Sequence, residues 1–276
     1  MKPTGVPKLG DVVRDVFIVA HKEDTTALEH AMALEGFNCR SIRGPYTEHQ
    51  LQFPAQIRCL VNHSNAWREV KRGSGYSIVV EADFVPVRGF SSLPLPFEPR
   101  VGEKQMAWLY SVGPVIYHVD ERNYALYGHN AGMVAYVLDE MVAKDWLRLY
   151  EEEMSEEEQE YRLFDVKMPI RLRRECGVKC YIPYRMYGEH GGIANPEHKR
   201  NKIRSWHEAD SLAGPLHFLP AYARKHRLYF LLRRLRGRAR GWYRFAMGKY
   251  FDGWPAWWRS GEDRWLRLRL ALERLL

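Results

Sequence analysis

An α/β fold with a mixed, mostly parallel central sheet is predicted by three observations. Apolar runs rich in β-branched residues alternate with stretches of helical periodicity through residues 15–80. One of those runs, Ser77 to Val80, has no polar face, as a strand covered on both sides requires. Glycines or a Gly-Pro pair punctuate the junctions. Asp15–Ala20 (DVFIVA) predicts the first strand. TTALEHAMALEGF predicts a helix that Thr25 or Thr26 caps and Gly36 ends. NCRSIRG predicts a second strand, closed by Gly44-Pro45. Ile57, Leu60, Val61, Trp67 and Val70 then recur at helical spacing up to Gly73 and Gly75, and Tyr76–Val80 forms the third strand. Strand, helix, strand, helix, strand implies right-handed crossovers.

The chain has 276 residues, 46% hydrophobic and 28% charged, which excludes a disordered class. It contains no apolar run of ~20 residues, so no membrane-spanning helix is predicted. The first residues lack an apolar signal core, and a cytoplasmic protein is expected. Four cysteines (Cys39, Cys59, Cys176 and Cys180) are too few to staple a chain of this size, and their spacing suits no common zinc pattern; Cys176 and Cys180 could share a metal but are read as two isolated buried thiols.

Charge divides the chain. The net value is +8, yet residues 222–276 hold fifteen basic and four acidic residues, leaving 27 basic against 30 acidic in 1–221. Five of the nine tryptophans lie in the same tail. SLAGPLHFLP interrupts the pattern, which places one unit at 1–215 and a basic, aromatic tail at 216–276.

The third strand ends on two acids, Glu81 and Asp83. Ligands of open α/β sheets bind outside the carboxyl ends of strands. In extended geometry residues i and i+2 point the same way, and two carboxylates held together need a proton or a cation between them. A hard divalent cation carrying phosphate oxygens fits that requirement, whereas polar residues merely marking a strand exit are the plainer reading. His21, after the first strand, and Arg43, at the end of the second, are candidate donor contacts. His63 shares a helix face with Cys59 and Val70 and is read as buried and satisfied. In YGEHGGIANPEH, Gly191 and Gly192 allow close backbone approach, and His190 and His198 offer phosphate or metal contacts. Residues 151–161 are glutamate-rich and read as a solvated helix end.

IRCLVNHSNAWREV followed by YSIVVEADFVPVRGF resembles the family 25 glycosyltransferases, the lipopolysaccharide-biosynthesis type related to collagen galactosyltransferases. The matching positions are Cys59, Leu60, Val61, Asn62, His63 and Trp67, then Glu81, Ala82, Asp83 and Phe90. Asn62 stands where a Ser is usual and Ala82 where a middle acid is usual. GHNAGMVAYVLDEMVAKDW, the Asp165 segment through Tyr181-Ile182-Pro183, and YGEHGGIANPEH extend the likeness over roughly residues 12–200. The resemblance implies a GT-A-like nucleotide-sugar-binding fold and inverting transfer of a hexose from a nucleotide diphosphate sugar, UDP-hexose above all, to a glycan or glycolipid acceptor. It implies Mn²⁺ or Mg²⁺ on Glu81 and Asp83, with His198 a further candidate ligand. It also implies a base for the acceptor hydroxyl, for which Asp165 is the first choice and Glu189 the second.

In the tail, Leu228, Leu232, Leu235, Ala239, Trp242, Ala246 and Tyr250 form one helical stripe, and Arg233, Arg234 and Arg238 belong to the remainder. With Trp254, Trp257 and Trp258 this describes a helix lying in an anionic bilayer interface, which would make the protein peripheral on the inner membrane face. A nucleic-acid-binding tail is the alternative of a different class, disfavoured because residues 1–221 carry no basic surplus. A catalytically degenerate sugar-nucleotide-binding protein is the third reading, on account of Ala82.

Overall fold

The computed structural model describes residues 6–120, 125–130, 132–155, 163–192, 207–224, 226–259, 261 and 263–276. One helical turn, α1 (Leu9–Val12), leads into β1 (Val13–Val19). Helix α2 (Thr26–Leu34) follows, with Thr25 at its N-cap and Gly36 in the left-handed region just past its end. Then come β2 (Asn38–Ile42), a single turn α3 (Glu48–Leu51), α4 (Ala55–Arg72) and β3 (Tyr76–Glu81). The apolar spacing read in α4 is its inner face: Ile57, Leu60, Val61, Trp67 and Val70 are all buried. β1 pairs parallel with both β2 and β3, as two right-handed crossovers dictate.

Beyond β3 the sheet is mixed. β4 (Phe84–Pro86) leaves it, and β5 (Gln105–Trp108), β6 (Val115–Asp120), β7 (Ala125–His129), β8 (Ala135–Leu138) and β9 (Lys179–Ile182) complete it in the order β2-β1-β3-β8-β5-β9-β7-β6. Only β7 and β8 run against the other six described strands. Helix α5 (Glu140–Met154) starts on Asp139, whose side chain accepts from the Val142 amide. It stacks Trp146 on Trp67 of α4 with ring centroids 5.1 Å apart. Helix α6 (Phe164–Glu175) precedes β9. β10 (Gly188–His190) pairs antiparallel with β4 as a separate two-stranded ribbon, with His190 opposite Phe84.

The tail forms α7 (Arg227–Ala246), α8 (Trp254–Arg259) and α9 (Arg264–Leu275). None of the described helices is long and apolar enough to cross a membrane. The amphipathic α7 is packed with its basic side inward. Gly237 and Gly241 are buried because a Cβ at either would collide with residues 208–210 or with Leu275. Arg234 reaches Glu189, Arg233 reaches Glu208, Arg240 reaches the Val112 carbonyl and Arg244 that of Pro114. The stripe from Leu228 through Leu232, Leu235 and Ala239 to Trp242 and Ala246 faces outward; Tyr250, its last predicted member, is buried. The expectation of a lipid-facing surface therefore changes at four residues. Arg233 and Arg234 are spent on buried acids. Trp257 is 3% exposed, with its indole donating to the Arg264 carbonyl, and Trp254 packs against Phe251 and the core. Trp242 and Trp258 remain exposed, and Arg238 is half-buried.

Helix α9 locks the tail to the sheet. Arg274 and Asp210, each 1% exposed, pair at 2.7 Å, and Arg274 also donates to the carbonyls of Pro183 and Tyr184. Arg267 donates to the Tyr117 carbonyl, and Asp263 accepts from the Val119 amide, which covers part of the β6 edge. Removing one partner of a buried pair leaves an uncompensated charge. Arg274→Ala is therefore expected to lower unfolding free energy by about 3–5 kcal/mol in urea titrations. A loss below about 1 kcal/mol, the surface-pair range, would mean that the tail is not anchored there.

Candidate active site

The carboxyl ends of β1 and β3 lie side by side, with Val19 opposite Glu81. Glu81 is the last residue of β3, and Asp83 stands in the turn between β3 and β4. The alternation expected of an extended strand is thus interrupted, and the turn brings the two acids together instead. Ala82 explains how the middle position tolerates a methyl group. Its amide donates to the Val19 carbonyl, and its side chain packs on the core. The β4–β10 ribbon supplies a third group, since His190 Nε2 is 3.3 Å from Asp83 Oδ2. Ligand atoms of Glu81, Asp83 and His190 all lie within 4.8 Å of one another.

Electrostatics separate the two acids. Burial works to raise Glu81, but the hydrogen bond from His63 and the charges of His63 and His190 hold it below the ordinary glutamate value. Burial prevails at Asp83 and raises it over the pull of His190, with the Glu81 charge adding to the rise. Asp83 Oδ1 and His190 Nδ1 are buried with no hydrogen-bond partner among the described residues. Two carboxylates and an imidazole with unsatisfied buried atoms are a donor set suited to Mn²⁺ or Mg²⁺.

Glycines shape this floor. The Gly191 amide donates to the Asp83 carbonyl at 2.7 Å, and a Cβ on Gly192 would collide with the Asp83 carboxylate. His190 is flanked by Tyr110 and by His207, whose ring stacks on it at 4.5 Å. His198 lies outside the described residues.

A pocket of about 140 Å³ opens beside the acids, lined by His21, Glu23, Arg58, Cys59, Asn62 and Asp83 among others. His21 is on its wall. Burial and then the Arg58 charge lower its pKa, which keeps it neutral near pH 7. Arg43 is not among the lining residues. Its guanidinium donates to the carbonyls of His21 and Glu23 and to Thr25 Oγ1, so it braces the loop after β1. Arg58 is the wall's cation, and its spacing on α4 announced nothing in the sequence. Asn62, in the position where the resembled family has Ser, ties the Ala20 carbonyl to the Gly44 amide across the pocket rim. His63 is buried as expected, held between Tyr136 Oη at 2.9 Å and Glu81 Oε1 at 3.3 Å.

The two candidate bases part company. Asp165, in the first turn of α6, has a buried Oδ1 without a partner, and burial followed by the Glu81 charge pushes its carboxyl up to about 6. Glu189 is 0% exposed and accepts from the Ala209 amide and from Arg234. Burial pushes it up to about 7, and with both oxygens engaged by these partners it anchors α7.

No protein-family model matches the chain, and no curated protein sequence does. Two solved structures overlap it in part. One is a glycosyltransferase involved in the glycosylation of the major capsid of PBCV-1, 10% identical, with 63% of this chain and 82% of that chain covered at a TM-score of 0.37. The other is the 4-diphosphocytidyl-2C-methyl-D-erythritol synthase of Anaerococcus prevotii, 13% identical, with 67% and 94% covered at a TM-score of 0.32. At these identities and scores, neither likeness bears on activity.

Gly192→Ala is the sharpest probe of the floor. The added methyl must displace Asp83, so Mn²⁺ affinity measured by calorimetry should fall about tenfold or more, the scale seen when a ligand's support is lost. The melting temperature should change little. Unchanged Mn²⁺ affinity would remove Asp83 from the metal cluster.

Proposed function

We propose that the chain is a metal-assisted, inverting glycosyltransferase. In this reading it moves a hexose from a nucleotide diphosphate sugar, UDP-hexose by preference, to a saccharide acceptor of lipopolysaccharide or another cell-surface glycan at the inner membrane face. The observation that carries the proposal is the convergence of Glu81, Asp83 and His190 at the carboxyl ends of two parallel strands, beside a pocket with a cationic wall. The resemblance of the same segments to family 25 glycosyltransferases supports the choice of sugar transfer over other nucleotide chemistry.

Glu81, Asp83 and His190 would hold Mn²⁺ or Mg²⁺, which supplies positive charge to the diphosphate as it leaves. Arg58, with its Nε buried and unpartnered, adds a fixed cation on the same wall, and neutral His21 can donate a hydrogen bond there. Asp165 takes the proton of the acceptor hydroxyl. A carboxyl raised toward 6 is a stronger base than an exposed aspartate yet is still ionised near neutral pH. His63 holds Glu81 from behind through a bond to a residue 18 positions away.

Bilayer association would use the outward stripe of α7, with Trp242 and Trp258, rather than the arginines first read as lipid-facing. A nucleic-acid-binding tail loses support on the same ground, because Arg233, Arg234, Arg240, Arg244, Arg267 and Arg274 already donate to protein acceptors.

Asp83→Ala tests the proposal directly. Metal-dependent hydrolysis or transfer of UDP-hexose should vanish while the circular dichroism spectrum is kept, and activity within a few-fold of wild type would sink the assignment. Asp165→Asn should lower kcat by ~10²-fold, the usual scale of general-base loss. Because the Asp165 pKa is raised, its base form is lost as pH falls through about 6. The wild-type kcat/KM should accordingly rise with pH up to about 6 and level above it, with a bound cation on Glu81 moving the limb lower. A limb that persists in Asp165→Asn would assign the titration elsewhere. For the tail, Leu232→Glu together with Leu235→Glu should abolish sedimentation with anionic vesicles and spare transfer to a short soluble acceptor. Equal sedimentation of variant and wild type would rule out the α7 stripe as the lipid contact.

A further inference from the structure

We propose that Cys59, His63 and Glu81 form a second metal site, selective for a borderline-soft divalent ion of the zinc class and sharing only Glu81 with the hard-cation cluster. Cys59 and His63 are four residues apart on α4, so their side chains project from one face, a spacing that brings two ligands to one ion. Their ligand atoms and the Glu81 carboxylate all lie within 4.8 Å of one another. His63 Nε2 is 3.3 Å and Cys59 Sγ 3.9 Å from Glu81 Oε1. Zinc bonds of about 2.0–2.3 Å at tetrahedral angles place neighbouring ligand atoms roughly 3.3–3.8 Å apart, so the two spacings to Glu81 already match within tenths of an ångström.

The surroundings fit a three-ligand site with one open position. Cys59 and Glu81 line the 140 Å³ pocket, from which water can reach the fourth place. His63 Nδ1 faces the Tyr136 hydroxyl at 2.9 Å, and that hydroxyl also accepts from Trp67 Nε1 at 2.8 Å. In the metal-free chain Nε2–H faces the Glu81 carboxylate; with an ion bound, the Tyr136 hydroxyl can accept from Nδ1–H, which leaves the Nε2 lone pair to the metal, the usual support for a metal-ligating histidine. As the sulfur–metal bond forms, the S–H bond breaks and its proton passes to solvent, so occupancy rises with pH.

An ion at this site engages the Glu81 oxygen that His63 now holds and draws the carboxylate away from Asp83. Zinc would therefore inhibit turnover supported by Mn²⁺. That consequence rests on the transferase reading, whereas binding itself does not. The decisive experiment titrates the full-length, metal-free chain with Co²⁺ and follows its absorption. Wild type should show a thiolate-to-cobalt charge-transfer band in the near ultraviolet, together with the visible bands of a four-coordinate ion, and Zn²⁺ should remove both at one equivalent. Asp83→Ala should keep the thiolate band, whatever it does to activity. Cys59→Ser should abolish the band and weaken Zn²⁺ binding by at least about tenfold; Cys59→Ala serves if the serine variant does not fold. A cobalt spectrum without a thiolate band, or a band that survives replacement of Cys59, overturns the proposal and leaves the reading of Asp83 and His190 untouched.

Discussion

Two carboxylates held within a few ångströms in a half-buried place repel unless something positive lies between or beside them. Much of the described structure around residues 81–83 meets that constraint. α4 brings His63 up behind Glu81, and the β4–β10 ribbon brings His190 against Asp83. Gly191 and Gly192 let the ribbon come that close. The ribbon is in turn held by Arg234, which reaches Glu189, the neighbour of His190, from the tail. A chain of pairings therefore runs from the basic tail to the acidic site. The residue that looked from sequence like a second base is the link between them.

The tail shows how an amphipathic pattern can be read correctly while its orientation is missed. The 3.6-residue period fixes which residues share a face, but not which face turns toward the protein. Apolar burial normally decides, and here the receiving surface is acidic. Glu189, Glu208 and Asp210 are fully buried or nearly so, and each needs a cation. Arg234 of α7 supplies it to Glu189, Arg233, Arg236 and Arg240 of α7 supply it to Glu208, and Arg274 of α9 supplies it to Asp210, so the leucine stripe of α7 is left outside. Leu228, Leu231, Leu232, Leu235 and Trp242 are all exposed along α7.

The units β1-α2-β2-α4-β3 were legible because their signals are local: β-branched runs, helical spacing and glycine stops. The remaining sheet was not. β5, β8 and β9 are four-residue strands buried on both sides, and their order is set by pairings between segments far apart in the chain. At the site, the closeness of Glu81 and Asp83 could be read from spacing, although a turn rather than strand alternation produces it. Arg58 gave no signal, because a helix-surface arginine looks the same whether it faces water or a pocket. The structural duty of Glu189 was equally hidden, since its partner lies 45 residues away.

The proposed transfer needs a divalent cation that joins Glu81, Asp83 and His190 to a nucleotide diphosphate. The most direct measurement is the melting temperature of the chain against a panel of nucleotide sugars, each with and without Mn²⁺. A ligand bound only by the folded state raises stability in proportion to the logarithm of its saturation. One UDP-hexose is expected to raise the melting temperature by several degrees, with Mn²⁺ required for most of the rise and the rise lost in Asp83→Ala. Stabilisation by the same sugar that is indifferent to Mn²⁺, or no stabilisation by any sugar nucleotide, would contradict the proposal.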